Sequence, residues 1–261
     1  MGRTIGIVAI KGGVGKTTVA LNLGAVLAKE FNKKVLIVDA NFSAPNLGLH
    51  LGIVKPEKTM QDVLKEKTKI TDAIIHHELG FDLILGALTD WRVRPFRLKH
   101  KLDALKEWYD YIILDSSPNL NDEVLATMVA SDELLLVTSP DYPTLSCTMH
   151  AAKVAKERKT PVTGLVLNKL RNKKFELSIN EIEDAAKVPV VAVLPDDLLV
   201  LEALAATTPP ALHAPMREVS IRYKHLAAYL IGETYEDPRL LPKLKAFIRK
   251  IMGQEEEAKK K

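Results

Sequence analysis

The segment Lys11-Gly12-Gly13-Val14-Gly15-Lys16-Thr17-Thr18 restricts the fold of this chain more than any other. A β-branched run, Thr4 to Ile10, precedes it, and the helix-forming Val19-Ala20-Leu21-Asn22-Leu23 follows. Strand, glycine loop and helix in that order make a phosphate cradle. The glycines let backbone N–H groups turn inward, and the helix N-terminus adds partial positive charge. Lys16 can reach the outer phosphates and the Thr17 hydroxyl can ligate Mg²⁺. Gly12, Gly13, Val14, Gly15, Lys16, Thr17 and Thr18 are therefore the expected nucleotide-binding residues.

Further apolar, β-branched runs recur at Lys34 to Val38, Phe81 to Leu85, Tyr111 to Leu114, Glu133 to Thr138, Val162 to Leu167 and Val188 to Leu194. Amphipathic stretches lie between them, at Thr17 to Glu30, Leu98 to Trp108, Asn121 to Ala130, Pro143 to Lys156 and Ser178 to Lys187. This β-α alternation predicts a doubly wound, mainly parallel sheet with helices on both faces, and with the glycine loop after its first strand the expectation is a three-layer P-loop NTPase sandwich. Ligands in such sheets sit beyond the carboxyl ends of the strands, so the residues just after each strand matter most.

The chain has 261 residues, 47% of them hydrophobic, with 13 Gly and 14 Pro, which fits one well-packed domain, expected over 1–235. Cys147 is the single cysteine, so no intrachain disulfide and no C-x-x-C metal site can form, and a reducing cytoplasm is the expected compartment. The start, Met1-Gly2-Arg3-Thr4, runs straight into a strand without the pattern of a signal peptide. No stretch reaches the ~20 apolar residues needed to cross a bilayer. The net charge of +4 permits an anionic surface as partner without demanding one. His76 and His77 are adjacent and make a poor metal pair. Trp91, Arg92 and Arg94 are candidates for a partner surface by position alone.

An ordinary P-loop has glycine where this chain has Ile10, and Lys11 stands beside it. Lys11-Gly12-Gly13-x-Gly15-Lys16-Thr17 resembles the deviant Walker A motif of the MinD/ParA family, within the SIMIBI-like P-loop proteins. The resemblance implies ATP or ADP with Mg²⁺ as ligands and an ATP-dependent homodimer in which Lys11 reaches the partner's phosphates. A cation delivered only on dimerisation would act as an arginine finger does.

The stretch after the second strand, Asp39-Ala40-Asn41 and then Pro45-Asn46-Leu47, resembles the family's first switch region. A carboxylate at that strand end makes Asp39 a metal-side residue. At Asn41 the family has an acidic residue that positions or activates the attacking water, whereas an amide can only orient it. Slow turnover is the implied result. Asp115-Ser116-Ser117-Pro118 resembles the second switch, with Asp115 holding a Mg²⁺-bound water. Metal-side residues are thus Thr17, Asp39 and Asp115, and catalytic candidates are Lys11, Lys16, Asp39 and Asn41. Asn168-Lys169-Leu170 lacks the Asp that reads guanine, and Leu194-Pro195-Asp196-Asp197 resembles the family's adenine turn, so Asn168, Pro195, Asp196 and Asp197 are expected around adenine.

Between 240 and 252, Leu240, Leu241, Leu244, Phe247, Ile248, Ile251 and Met252 fall at helical spacing among Lys243, Lys245, Arg249 and Lys250. A separate amphipathic helix over 238–253 is expected, suited to an anionic membrane surface or to packing on protein, with a charged tail over 254–261. The functional expectation is a MinD-like ATPase switch, cytoplasmic and reversibly bound to the inner face of the cell membrane, with an activating protein partner. The alternatives are a ParA-like DNA-partitioning ATPase, a metal-cofactor maturation ATPase and a slow-turnover nucleotide-binding adaptor. Arg92, Arg94, Arg97, Lys99 and Lys101 support the DNA alternative.

Overall fold

The computed structural model describes residues 1–89 and 92–239; Trp91, the helix expected over 240–252 and the charged end after it lie outside them. Along the chain run β1 (Arg3–Val8), α1 (Lys16–Lys29), β2 (Val35–Ala40), α2 (Met60–Leu64), β3 (Ile75–His76), β4 (Asp82–Ile84), α3 (Leu98–Asp103), β5 (Tyr111–Ser116) and α4 (Asp122–Ala130). Then follow β6 (Glu133–Thr138), α5 (Tyr142–Glu157), β7 (Val162–Leu170), α6 (Ile179–Ala186), β8 (Val190–Pro195), α7 (Leu199–Ala205), α8 (Pro210–His213) and α9 (Glu218–Ile231).

Among the described residues these strands form one eight-stranded sheet in the order β3-β4-β2-β5-β1-β6-β7-β8. All neighbours are parallel except β3 and β4. The central strands read as continuous apolar runs because both faces are covered: every residue of β2 and of β5 is buried. On one face Ile5, Ile7, Ile37 and Ile113 pack with residues of α1, α7, α8 and α9. On the other, Leu36, Val38, Ile112 and Leu114 meet α2 and α3, while Val8, Leu134 and Leu136 meet α4, α5 and α6. The expected three-layer sandwich is what forms.

Two local expectations change. β3 is an additional, antiparallel edge strand whose two residues, Ile75 and His76, are too few to carry a periodicity. The helix expected from Leu98 to Trp108 ends at Asp103, and turns bonded from Leu105 to Leu102 and from Trp108 to Leu105 continue it. Leu98, Leu102 and Leu105 stay buried throughout, so tight turns preserve the apolar spacing past the end of the regular helix.

β1 lies between β5 and β6, so the chain leaves its carboxyl end where connections diverge to the two halves of the sheet. That topological switch point is where a doubly wound sheet opens a crevice for ligands, and the glycine loop occupies it. At the far end of the described chain, α9 stops at Gly232, whose φ of 72° suits a left-handed C-terminal turn. The chain then doubles back along α9. Glu233 lies 3.7 Å from Lys33, Tyr235 meets the His225 ring edge-on at 5.5 Å, and Arg239 pairs at 2.8 Å with Glu218, the first residue of α9. Arg239 is thereby held at the end of the sheet that carries the glycine loop, and its partner Glu218 is next in the chain to Arg217, which pairs with Asp197 at 2.9 Å.

Candidate nucleotide site

Gly13 and Gly15 have φ of 77° and 102°, left-handed values that turn the loop's backbone inward. A side chain at Gly15 would also collide with Asn168, whose Nδ2 lies 2.3 Å from where a Cβ would stand. The loop is held by the end of β7: Asn168 Nδ2 donates to the Val14 carbonyl at 2.8 Å and Lys169 Nζ to the Gly13 carbonyl at 2.8 Å. Lys16 is only 7% exposed, and burial pulls its ammonium below the ordinary lysine value while the charge of Asp115 opposes that shift. A buried ammonium beside a glycine loop is primed for an anion.

Beneath the loop, Asp39 and Asp115 are register partners across β2 and β5, each 1% exposed. The Thr17 hydroxyl lies 2.6 Å from Asp115 Oδ2 and 3.0 Å from Asn46 Oδ1. Asp39 is occupied by the loop that follows it: Oδ1 takes the Asn41 N–H at 3.1 Å, and Oδ2 those of Asn46 and Leu47 at 3.0 Å each. Burial, then the charge of Asp115, pushes Asp39 up to about 8 against those three bonds. Burial likewise raises Asp115 to about 6 against the Thr17 hydrogen bond and the Lys16 charge.

Asp115 Oδ1 is buried and has no hydrogen-bond partner. A bare carboxylate oxygen beside a threonine hydroxyl, with a second carboxylate behind, fits a hard divalent cation that keeps several waters and phosphate oxygens of its own. Among the described residues no cluster of three His, Cys, Asp or Glu exists that would suit an all-protein metal cage. The donor set therefore fits Mg²⁺ bound together with a nucleotide. Asp115 and Thr17 are the direct candidates and Asp39 the organiser behind them.

Asn41 is 4% exposed; its Nδ2 donates to the Ala44 carbonyl at 2.5 Å, and its Oδ1 is buried without a partner. Lys11 points away from its own loop. Its Nζ donates to Thr144 Oγ1 at 2.7 Å and to Asp141 Oδ1 at 3.2 Å, at the start of α5. Asp141 caps that helix through the Thr144 N–H at 2.9 Å. Although burial acts the other way, hydrogen bonds from Ser139, Thr144 and Lys11 bring Asp141 down to about 2.

A groove of 740 Å³ runs from the glycine loop to β8 and α7, with Asn168, Pro195, Asp196 and Asp197 on its wall. Arg171 Nε meets Asp196 Oδ2 at 2.6 Å across it, and Leu198 and Leu201 present exposed apolar surface at its rim. The structure thus brings the glycine loop, Asp39, Asn41, Asp115 and the four residues expected around adenine to one end of the sheet. Three contributors carried no role in the sequence: Asn46, Lys169 and the Asp141–Thr144 pair. Asn46 had a signal in its place after Asp39, whereas only tertiary packing reveals that Lys169 and Asp141 reach the glycine loop.

The family model described as an AAA domain matches residues 2–160. An uncharacterized ATP-binding protein of Methanocaldococcus jannaschii is 32% identical over 255 residues, covering 97% of this chain and 96% of that protein. The crystal structure of the cell division ATPase MinD of Pyrococcus furiosus superposes with a TM-score of 0.84 at 32% identity, over 89% of this chain and 99% of that one. The septum site-determining protein MinD of Pyrococcus horikoshii, solved with Mg-ADP, does so with a TM-score of 0.83 at 31% identity, over 88% and 96%. With this fold, and with a glycine loop carrying both Lys11 and Lys16, the chain belongs to the MinD/ParA family of P-loop ATPases.

Proposed function

We propose that this protein is a Mg²⁺-dependent ATPase switch of MinD type, which pairs with a second copy of itself when ATP is bound and resets on hydrolysis. The observation that carries this reading is the division between two lysines of one loop. Lys16 is buried within the cradle, whereas Lys11 lies outside it with 39% of its side chain exposed. An inner lysine serves the chain's own nucleotide, and an outer one is available to a partner's. The Mg-ADP held by the Pyrococcus horikoshii relative supports the same ligands here.

In this reading Gly12 to Thr18 cradle the phosphates, and Thr17 and Asp115 ligate Mg²⁺ with Asp39 behind them. The groove along Asn168, Pro195, Asp196 and Asp197 takes adenine. The bound metal supplies charge neutralisation between the phosphates. Asn41 orients the attacking water without accepting its proton, so turnover is slow.

The reading extends to the inner face of the cell membrane through residues 240–252, and to an activating protein partner. No described helix is long and apolar enough to cross a membrane. Arg239 holds the departure point of the C-terminal segment at the nucleotide end of the sheet, where dimerisation would bring two such segments together. For the DNA-partitioning alternative, Arg97 and Lys101 are already paired, 3.3 Å and 3.8 Å from Glu66.

Co-sedimentation with anionic liposomes tests the reading, comparing ATP with ADP and the full chain with one ending at Arg239. ATP-dependent binding lost on truncation is the expected result. Absence of binding in every nucleotide state, together with salt-sensitive binding to DNA, would overturn it in favour of the partitioning role.

A further inference from the structure

Glu123 is a buried acid to which the reading above gives no task. It sits in the first turn of α4, is 8% exposed, and accepts the Ser43 hydroxyl at 3.1 Å. The Ser117 hydroxyl donates at 3.0 Å to Asn121 Oδ1, the cap of α4, and so ties the loop after β5 to the same helix start. Burial raises the Glu123 pKa, and the nearby donors of Ser43, Ser117 and Phe42 oppose the rise. Phe42 and Ser43 belong to the loop that leaves β2 after Asp39 and Asn41, whereas Ser117 belongs to the loop that leaves β5 after Asp115. Asn41 and Ala44 of the first loop, and Ser116 and Pro118 of the second, line the same groove as the glycine loop.

We infer that Glu123 is a positioning residue that ties these two loops into one unit, so that a contact to the outermost phosphate made by either is imposed on both. The inference rests on the ATP-switch reading of the site. A carboxylate only accepts hydrogen bonds, and this one takes the Ser43 hydroxyl of the first loop, while Ser117 of the second bonds to Asn121, two positions before Glu123 on the same helix start. A buried carboxylate stripped of its donor is left unsatisfied, so the two loops separate only at a penalty. Because Asn41 cannot take a proton, control of the attacking water falls to the placement of the segment 41–44. Glu123 fixes that placement through Ser43.

The test uses the full chain with Glu123→Gln, Glu123→Ala and Ser43→Ala. Affinities for fluorescent mant-ADP and mant-ATPγS are measured beside steady-state phosphate release and Tm. Glu123→Gln keeps the shape of the side chain and is expected to leave mant-ADP affinity within about twofold. Its preference for mant-ATPγS over mant-ADP falls at least fivefold, on the scale of ordinary coupling between sites. Its kcat falls about tenfold or more at a nearly constant KM, the signature of misplaced groups and not of weakened binding. Ser43→Ala, which removes one donor, gives a smaller change in the same direction. An unchanged preference and kcat in both Glu123 variants would overturn the inference. So would equal losses of both nucleotides accompanied by a fall in Tm, which would make Glu123 a structural acid only. Wild-type protein that binds neither nucleotide would remove the reading of the site itself, and the inference with it.

Discussion

Asp39 and Asp115 face each other in register on parallel neighbours β2 and β5, both buried and with no lysine or arginine salt-bridged to either among the described residues. Two like carboxylates held together out of water make the metal-free protein weaker than it need be. The sign follows from the shifts. Both groups titrate higher in the folded chain than in the unfolded one, Asp39 near 8 and Asp115 near 6, so folding favours their protonated forms. Their contribution is greatest below about pH 4 and is lost as pH rises toward 8.

The expected outcome is that Asp115→Asn raises the Tm of the metal-free protein at pH 8 and flattens its fall between pH 5 and pH 8. A gain of about 1 kcal/mol corresponds to roughly 2–4 °C for a chain of this size. The same variant loses the stabilisation that Mg²⁺ and ADP together give the wild type. Thermal melts across pH, with and without Mg-ADP, check both. A variant that melts lower than wild type at pH 8 without metal would count against the like-charge account.

Lys11 is a second point where the observed contacts and the proposed switch differ. Its ammonium rests on Asp141 and Thr144 and must leave them to reach a partner's phosphates. That ion pair is about two-fifths exposed on each side, so its hold is weak and its release costs little. Lys11→Ala is expected to keep mant-ADP affinity within about threefold, because Lys16 serves the chain's own nucleotide. Turnover should fall by about 10³-fold, as for loss of a finger residue. Sedimentation with ATP should show a monomer where the wild type dimerises. A variant that still dimerises and turns over normally would remove Lys11 from the mechanism.

The glycine loop and the strand-end positions of Asp39 and Asp115 were legible in the sequence because local order defines them: a strand, an interruption of special chemistry, then a helix. The layering was legible too, since strands buried on both faces, such as β2 and β5, write themselves as unbroken apolar runs. Contacts between segments distant in sequence were not legible. Lys169 reaches the Gly13 carbonyl across 156 positions, and Asn168 reaches Val14 across 154. No spacing rule connects such residues. Glu123 reads in the sequence as an ordinary acid of a first helical turn, favoured there by the helix dipole. Only its burial and the bond from Ser43 give it another meaning.

Gly15 joins the two sides of the site. Its φ of 102° penalises any L side chain, and a Cβ there meets Asn168 Nδ2 at 2.3 Å. Gly15→Ala therefore displaces Asn168 from the Val14 carbonyl and distorts the cradle together. Destabilisation by about 1–3 kcal/mol is expected, with mant-ADP affinity reduced more than tenfold. Gly232→Ala supplies the contrast, since its φ of 72° carries the same backbone penalty but nothing lies within 4 Å of a Cβ there. Urea unfolding and mant-ADP titration separate the two. Equal effects of both substitutions on nucleotide affinity would mean that the Asn168 contact does not matter to the cradle.

Asn41 offers the most direct handle on rate. Its Nδ2 donates to the Ala44 carbonyl at 2.5 Å, and its Oδ1 is buried without a partner. In Asn41→Asp the donor becomes an acceptor facing that carbonyl, so the metal-free variant should melt several degrees lower at pH 8. At pH 5, where protonation of the new acid restores a donor, the deficit should shrink. With Mg-ATP bound, the carboxylate gains the capacity to take a proton from water, and general-base assistance of that kind is worth about 10²–10⁴-fold. Phosphate release is therefore expected to rise by about tenfold or more, even though the resting protein is less stable. A variant that is both less stable and no faster would place the limit on turnover elsewhere, in the arrival of Lys11 or in the separation of the dimer, and would make proton transfer at position 41 irrelevant to the rate of the switch.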